Sequence, residues 1–235
     1  MEIIVRVCLG LCLCVAFAAE AQAGLVTFDD LPSPPATDSA TGLFFANQNS
    51  ALYQGVTWDS RVNVVGDAYR VDPATPGPLF GIPHSGHYFI TNGGTDNDGI
   101  LLTTDQVLLG AWFGRNEYYG FGSGADQVTI NALSGQTVLA SVVFDLPAPA
   151  VAGQPGLMGF ADTSSFASLT GITGYRIDRH ELASETGNWV ADDFSFAAAS
   201  VPEPSSLALS MLGLLAVSGK LLIDAVDRKD RRHSR

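Results

Sequence analysis

The chain has 235 residues and a formal net charge of −12, with 12 Lys and Arg residues against 24 Asp and Glu residues. Residues 24–200 contain five arginines, no lysine and eighteen acidic residues. Such a surface repels phosphate groups and offers few cations to replace the counterions of DNA or RNA. The composition therefore excludes a nucleic acid as partner.

The first 23 residues have the composition of a secretory signal peptide. Arg6 precedes an apolar run from Val7 to Ala19, and Ala21-Gln22-Ala23 has the small residues that signal peptidase recognises. All three cysteines lie in this segment. A mature chain beginning at Gly24 would therefore have no disulfide and no cysteine metal ligand.

Residues 24–200 have a length that suits one domain and carry short segments rich in β-branched and aromatic residues between clusters of Gly, Pro, Asn and Asp. This pattern predicts strands rather than helices. The predicted strands are Leu25–Phe28, Gly55–Trp58, Val62–Val65, His87–Thr91, Gly99–Thr103, Val107–Phe113, Gln127–Ala132, Gln136–Phe144, Gly156–Phe160, Gly174–Arg179 and Trp189–Phe196. Many short strands in one domain predict an all-β fold, an antiparallel jelly-roll-like β-sandwich. The segment Pro147–Pro155 is expected to cross between the two sheets.

Two pairs of aspartates form a candidate metal site. Asp29 and Asp30 follow the first predicted strand, and Asp192 and Asp193 lie in the last. If those strands are neighbours, four carboxylates share one rim, where they repel unless a cation lies between them. Calcium, which takes about six to eight oxygen ligands, suits such a rim. The alternative is that these aspartates form turns and face water.

This pairing resembles the structural calcium site of jelly-roll carbohydrate-binding modules with a galactose-binding-like fold. The resemblance rests on the two aspartate pairs and implies a structural calcium ion. A second acidic segment, Asn92 to Gly99, has part of the order of a calcium loop, but it has no distal glutamate and no flanking helices. We interpret that segment as a hairpin turn.

A candidate ligand-binding segment runs from Trp112 to Gly124. Its aromatic and planar polar residues suit sugars, which present apolar faces and hydroxyl edges. The predicted ligand-binding residues are Trp112, Arg115, Tyr118 and Tyr119. The alternative is a loop whose aromatic rings fold back over an open end of the core.

No catalytic residues are predicted. Residues 24–200 have three histidines, and no motif places a serine nucleophile beside them. His84 and His87 are three residues apart, which on an extended chain directs their rings to opposite faces, so we interpret them as loop and strand-edge residues. A glycoside hydrolase needs two carboxyl groups at a set separation, which a sequence alone does not give. A non-enzyme is therefore the prediction, and a secreted carbohydrate-active hydrolase is the alternative.

Residues 201–235 have three parts in order: Val201-Pro202-Glu203-Pro204, an apolar run from Leu207 to Ile223, and a tail rich in arginine. Proline keeps the first part out of a helix. The apolar run is somewhat short for a comfortable membrane span, and the basic tail would stay in the cytoplasm. The order of parts predicts a short transmembrane helix used as a transient anchor. An ordinary permanent anchor behind a proline-containing stalk is the alternative.

The tail resembles the PEP-CTERM sorting signal of Gram-negative bacteria that make exopolysaccharide. The resemblance covers residues 201–235, although Lys220 and three aspartates dilute the apolar run and the basic tail. It implies that an exosortase, a membrane cysteine peptidase, recognises the Pro-Glu-Pro motif at the inner membrane. Together with the signal peptide at 1–23, it predicts export and release to the cell surface or extracellular matrix. There the domain at 24–200 would bind exopolysaccharide or serve as a structural protein without a specific ligand.

Overall fold

The structure, a computed structural model, describes residues 24–34, 36, 43–44, 51–68, 80–92, 99–116, 124–151, 155–180 and 188–197. The predicted signal peptide and the predicted sorting signal lie outside the described residues. Among the described residues there is no helix that is both long enough and apolar enough to span a membrane. The described residues all fall within one compact unit, Gln22–Ala199, which we call the body.

The described chain consists of short strands with a single 3-10 turn. The strands are β1 (Gly24–Val26), β2 (Leu43–Phe44), β3 (Leu52–Tyr53), β4 (Val56–Trp58), β5 (Val62–Gly66), β6 (Tyr88–Asn92), β7 (Ile100–Thr103), β8 (Val107–Arg115), β9 (Gln127–Ser134), β10 (Thr137–Asp145), β11 (Gly159–Asp162), β12 (Gly174–His180) and β13 (Trp189–Ala197). The 3-10 helix, Ser164–Ser168, lies between β11 and β12. Each of the eleven predicted strands overlaps an observed one, whereas β2 and β3 were not predicted because two residues are too few to show alternation.

The strands form two antiparallel sheets. The seven-stranded sheet has the order β11-β8-β13-β6-β5-β2, with β1 also paired to β13, and the six-stranded sheet has the order β10-β9-β12-β7-β4-β3. The predicted neighbourhood of the first and last strands is confirmed, since Leu25 is paired with Ser195. The chain also changes sheets between β10 and β11, as predicted for the segment Pro147–Pro155.

One hydrophobic core lies between the two sheets. It takes large side chains from both of them, including Phe113 and Phe194 from the seven-stranded sheet and Trp58 and Tyr175 from the six-stranded sheet. Burial of this apolar surface is the main term that stabilises the fold, because the body has no disulfide. The architecture is therefore a β-sandwich.

A second hydrophobic cluster covers the outer face of the seven-stranded sheet. Val65, Phe89, Met158 and Val190 form it, and each strand residue among them is the direct neighbour of a core residue. Because successive side chains of a strand point to opposite faces, this cluster lies on the side away from the six-stranded sheet. The segment 80–87 lies over it: a Cβ on Gly81 would come within 2.9 Å of Val190. We call residues 80–87 the strap.

Strand β13 changes its partner halfway along. Val190 and Ala191 pair with β6, whereas Phe194 to Phe196 pair with β1. Strands β1 and β6 therefore lie end to end along the same side of β13. The pairing of β13 with β8 is irregular at this point, between Asp192 and Ser195, and Asp193 has a positive φ of 49°. A bulge of this kind lets adjacent side chains leave the regular alternation.

Candidate functional site

The gap between the end of β1 and the start of β6 is closed by side chains instead of backbone pairing. Asp192 and Asp193 reach across it from the bulge in β13, and Asp29 reaches across from the turn after β1. Their partners lie in residues 84–88, at the end of the strap and the start of β6. We call this set of hydrogen bonds the seam.

Asp192 forms the centre of the seam. Its Oδ2 atom accepts hydrogen bonds from the backbone N–H groups of His84 and Ser85, both at 3.0 Å. Its Oδ1 atom accepts from the N–H of Asp193 at 2.8 Å. Asp192 is fully buried, so these three N–H donors satisfy a carboxyl group that would otherwise be buried without partners.

Asp193 fixes the side chains of the same two strap residues. Its Oδ2 atom is 2.5 Å from Nδ1 of His84, and its Oδ1 atom accepts from the hydroxyl of Ser85 at 2.8 Å. These contacts join residues more than a hundred positions apart in the chain. They hold the imidazole of His84 in one orientation on the outer face of the sheet.

Asp29 caps the first residues of β6. Its Oδ1 atom accepts from the N–H of His87 at 2.7 Å and from the N–H of Tyr88 at 3.3 Å. Gly86 has a positive φ of 53°, and a Cβ there would lie 1.9 Å from Oδ2 of Asp29. Only glycine allows this close approach of the strap to the carboxylate.

Burial raises the pKa of Asp192 to about 7, and the nearby carboxylates of Asp193 and Asp29 add to the rise, against the backbone donors of Ser85 and Asp193 that lower it. The pKa of His87 is raised by its hydrogen bond to Asp67, at 2.7 Å between Nδ1 and Oδ2. His84 and His87 thus bind different aspartates, and both precede β6, as predicted for loop and strand-edge residues.

Asp30 has different partners from the other three predicted metal ligands. Its carboxylate accepts hydrogen bonds from the hydroxyl of Tyr53 and from Nε2 of Gln54, next to strands β3 and β4. Burial, together with that hydrogen bond, raises the pKa of Tyr53. In the described ranges no group of three or more His, Cys, Asp or Glu side chains is placed to hold a metal ion. The four carboxylates therefore do not form one ligand set here, and structural calcium stays a prediction.

Trp112 lies on the outer face of the seven-stranded sheet, directly opposite Asp192 in the pairing of β8 with β13. The imidazole of His84 stacks on its indole, with ring centroids 3.6 Å apart and an angle of 12° between the planes. On the neighbouring strand, the ring of Phe160 lies 5.5 Å from Trp112. We call His84, Trp112 and Phe160 the aromatic row.

The aromatic row is open to solvent along its length. The side chain of His84 is 35% exposed, Phe160 is 45% exposed, and Trp112 is half-buried. The seam fixes one end of the row through Asp193, and β-sheet pairing fixes the other two rings. Rings held in this way provide a preorganised apolar surface beside polar groups.

The other predicted ligand-binding residues do not join this row in the described structure. Arg115 is three residues after Trp112 on β8, so its side chain points to the opposite face of the sheet. There its Nε donates a hydrogen bond to the carbonyl oxygen of Leu146 at 3.2 Å. Tyr118 and Tyr119 lie outside the described residues. Of the two predicted ligand-binding residues that the structure describes, Trp112 lies on the aromatic row and Arg115 does not.

His84 and Phe160 were missed as site residues. Phe160 was the last residue of a predicted strand, but the sequence does not show which sheet that strand joins or which strand it pairs with. His84 reaches Trp112 only because the strap crosses the outer face. No local sequence pattern predicts the contact of His84 or of Phe160 with Trp112.

Residues 200–220 match the family of the PEP-CTERM protein-sorting motif. No curated protein sequence matches the chain. Among solved structures, the K2 cleaved adhesin domain of Lys-gingipain is a distant neighbour, with a TM-score of 0.39 and 15% sequence identity over 74% of this chain and 97% of that one. The sorting motif carries the identification: the chain has the C-terminal signal of an exported protein that is processed by an exosortase, and it is a PEP-CTERM exosortase substrate.

Proposed function

We propose that this exosortase substrate is a surface or matrix protein whose body is a non-catalytic module associated with exopolysaccharide. The aromatic row is the observation that carries the proposal. Pyranose rings have apolar faces that stack on aromatic side chains, and the partly exposed Ser85, next to His84 in the seam, is available for contact with hydroxyl groups. Processing at the Pro202-Glu203-Pro204 motif would release the body from a transient membrane anchor.

The strand order supports a binding module of jelly-roll type. The order β11-β8-β13-β6 in one sheet and β10-β9-β12-β7 in the other has the last two strands, β12 and β13, between earlier ones. This is the arrangement expected of an eight-stranded jelly roll built from two Greek keys, an architecture that lectin domains use. Strands β1 to β5 would then extend that unit.

Replacing Phe160 with alanine is expected to weaken polysaccharide binding about tenfold, a loss of about 1.4 kcal/mol. The ring is 45% exposed, so its removal takes stacking surface from the ligand and little from the core. The measurement is the retardation of the body in gels that contain soluble neutral or acidic polysaccharides.

Leu101→Ala is the matched control, because Leu101 is 44% exposed and lies on the six-stranded sheet, away from the aromatic row. Equal retardation of the two variants would contradict the proposed site. Absence of retardation in every polysaccharide would favour a structural protein without a ligand. Release of reducing sugar from the gel would favour the hydrolase.

A further inference from the structure

Strand β10 forms one edge of the six-stranded sheet. Among the described strands its neighbour is β9, and its nine residues make it as long as any strand described in the body. An edge strand presents backbone N–H and C=O groups that can pair with another chain. Soluble proteins usually protect a long edge with charged residues or proline within the strand.

β10 has little of that protection. Its sequence from Thr137 to Asp145 has no proline, no lysine and one charged residue, Asp145, at its end. Val138, Leu139 and Val143 are apolar and are 43%, 37% and 57% exposed. An irregularity between Val138 and Ala140 bends one end, and residues 140–145 pair regularly with β9. The opposite face of the strand is held on the core through Ala140, Val142 and Phe144.

We propose that β10 pairs with β10 of a second copy of this chain, antiparallel and centred on Ser141, to make one continuous sheet of the two bodies. This register brings Leu139 of each copy, at the irregular end of the strand, beside Val143 of the other, so exposed apolar side chains meet in pairs. It also brings Asp145 to the Thr137 end of the other strand, so the one charge of the strand does not face its own copy. Cross-strand pairs of this kind are what stabilises one register over others.

The association stops at a dimer. The two-fold axis at Ser141 uses the same edge of both copies, which closes the assembly. Among the described strands, β3 forms the other edge of this sheet. It has two residues, so it presents few backbone groups to a second copy. Each body has an excess of acidic residues, so the two copies repel at low ionic strength. Salt screens that repulsion, and the dimer fraction is therefore expected to rise with sodium chloride.

The first test is sedimentation equilibrium of the body as protein concentration and sodium chloride increase. Wild-type body is expected to dimerise, and Val143→Lys is expected to weaken dimerisation at least tenfold because it replaces the apolar partner of Leu139 with a charged side chain. Leu101→Lys is the matched control, with the same change of charge at an exposed apolar residue of the inner strand β7, and it should dimerise as the wild type does. A wild-type body that stays monomeric at high salt, or two lysine variants that associate equally, would overturn the proposal.

The second test measures the register by disulfide formation, since the body contains no natural cysteine. Ser141→Cys places the two new thiols opposite each other, and a covalent dimer should form at least tenfold faster than in Val138→Cys. The two Val138 positions would be separated by six residues of strand, about 20 Å. Crosslinking of Val138→Cys at the rate of Ser141→Cys would overturn this register. Both variants alter exposed residues, and circular dichroism checks that each is folded.

Discussion

Replacing Phe194 with alanine is expected to lower the free energy of unfolding of the body by about 3–5 kcal/mol. Phe194 is fully buried between the sheets. The centroid of its ring lies 5.2 Å from that of Trp58 on the other sheet and 6.1 Å from that of Phe28, and both pairs are edge to face. Its loss removes these aromatic contacts and leaves a cavity that neighbouring strands cannot fill. Urea denaturation of the body measures the change.

The size-matched control is Phe194→Leu, which keeps most of the apolar volume and should cost less than about 1.5 kcal/mol. A loss below 1 kcal/mol for Phe194→Ala would mean that Phe194 does not pack in the shared core. It would also put in doubt the bulge at Asp193, because that bulge sets the face on which Phe194 lies.

The body is expected to become less stable as pH rises from 5 to 8, with Asp192 contributing about 3 kcal/mol of the loss. Burial raises the pKa of this carboxyl to about 7, above its ordinary value of 3.8. The folded protein therefore holds the proton more tightly than the unfolded chain. Stability from this proton is fully present below pH 3.8 and is lost as pH rises through the folded pKa.

Asp192→Asn tests this origin, because asparagine keeps the size and an acceptor oxygen but does not titrate. The variant is expected to be less stable at pH 5, where the wild type is protonated, and to show a much smaller change between pH 5 and 8. Urea midpoints across this pH range measure both effects. An unchanged slope in the variant, or a wild type that gains stability with pH, would contradict the assignment.

Two other pH effects can be separated from that of Asp192. The pKa of the exposed His87 is raised by Asp67, so its contribution has the same sign, and His87→Gln isolates it. The pKa of Asp59 is lowered, mainly by hydrogen bonds from Arg61 that outweigh the opposing effect of burial. Its stabilising contribution is lost only as pH falls below 3.8, outside the range compared.

Much of the fold could be predicted because strand periodicity is a local property. The alternation of exposed and half-buried residues along β10 and the Gly135 turn between β9 and β10 both depend on neighbouring residues. The pairing of β1 with β13 was predicted from a general tendency of sandwiches. The bulge at Asp192 could not be predicted, because a positive φ at Asp193 depends on the strand it meets.

The site was predicted less well because adjacent residues need not share a partner. Asp29 binds the start of β6, whereas Asp30 binds Tyr53 and Gln54. Trp112 and Arg115 leave opposite faces of one strand, which the two-residue period of a strand already implies. The contacts of His84 with Asp193 and Trp112 depend on the path of the strap, and no pattern in the neighbouring sequence predicts them.

The proposed binding surface for exopolysaccharide on the body is the aromatic row. The three tryptophans of the chain make a direct measurement possible. Trp58 and Trp189 are buried in the core, at 2% and 0% exposure, whereas Trp112 is half-buried on the row. Quenching of tryptophan fluorescence by acrylamide in the folded body therefore reports mainly on Trp112.

The measurement is acrylamide quenching of the body during titration with purified exopolysaccharide, beside Trp112→Phe as the blank. We expect the polysaccharide to protect the fluorescence from acrylamide, the protection to saturate, and the protection to be absent in Trp112→Phe. Quenching that stays the same at every polysaccharide concentration, in a body shown to be folded, would contradict binding at this surface.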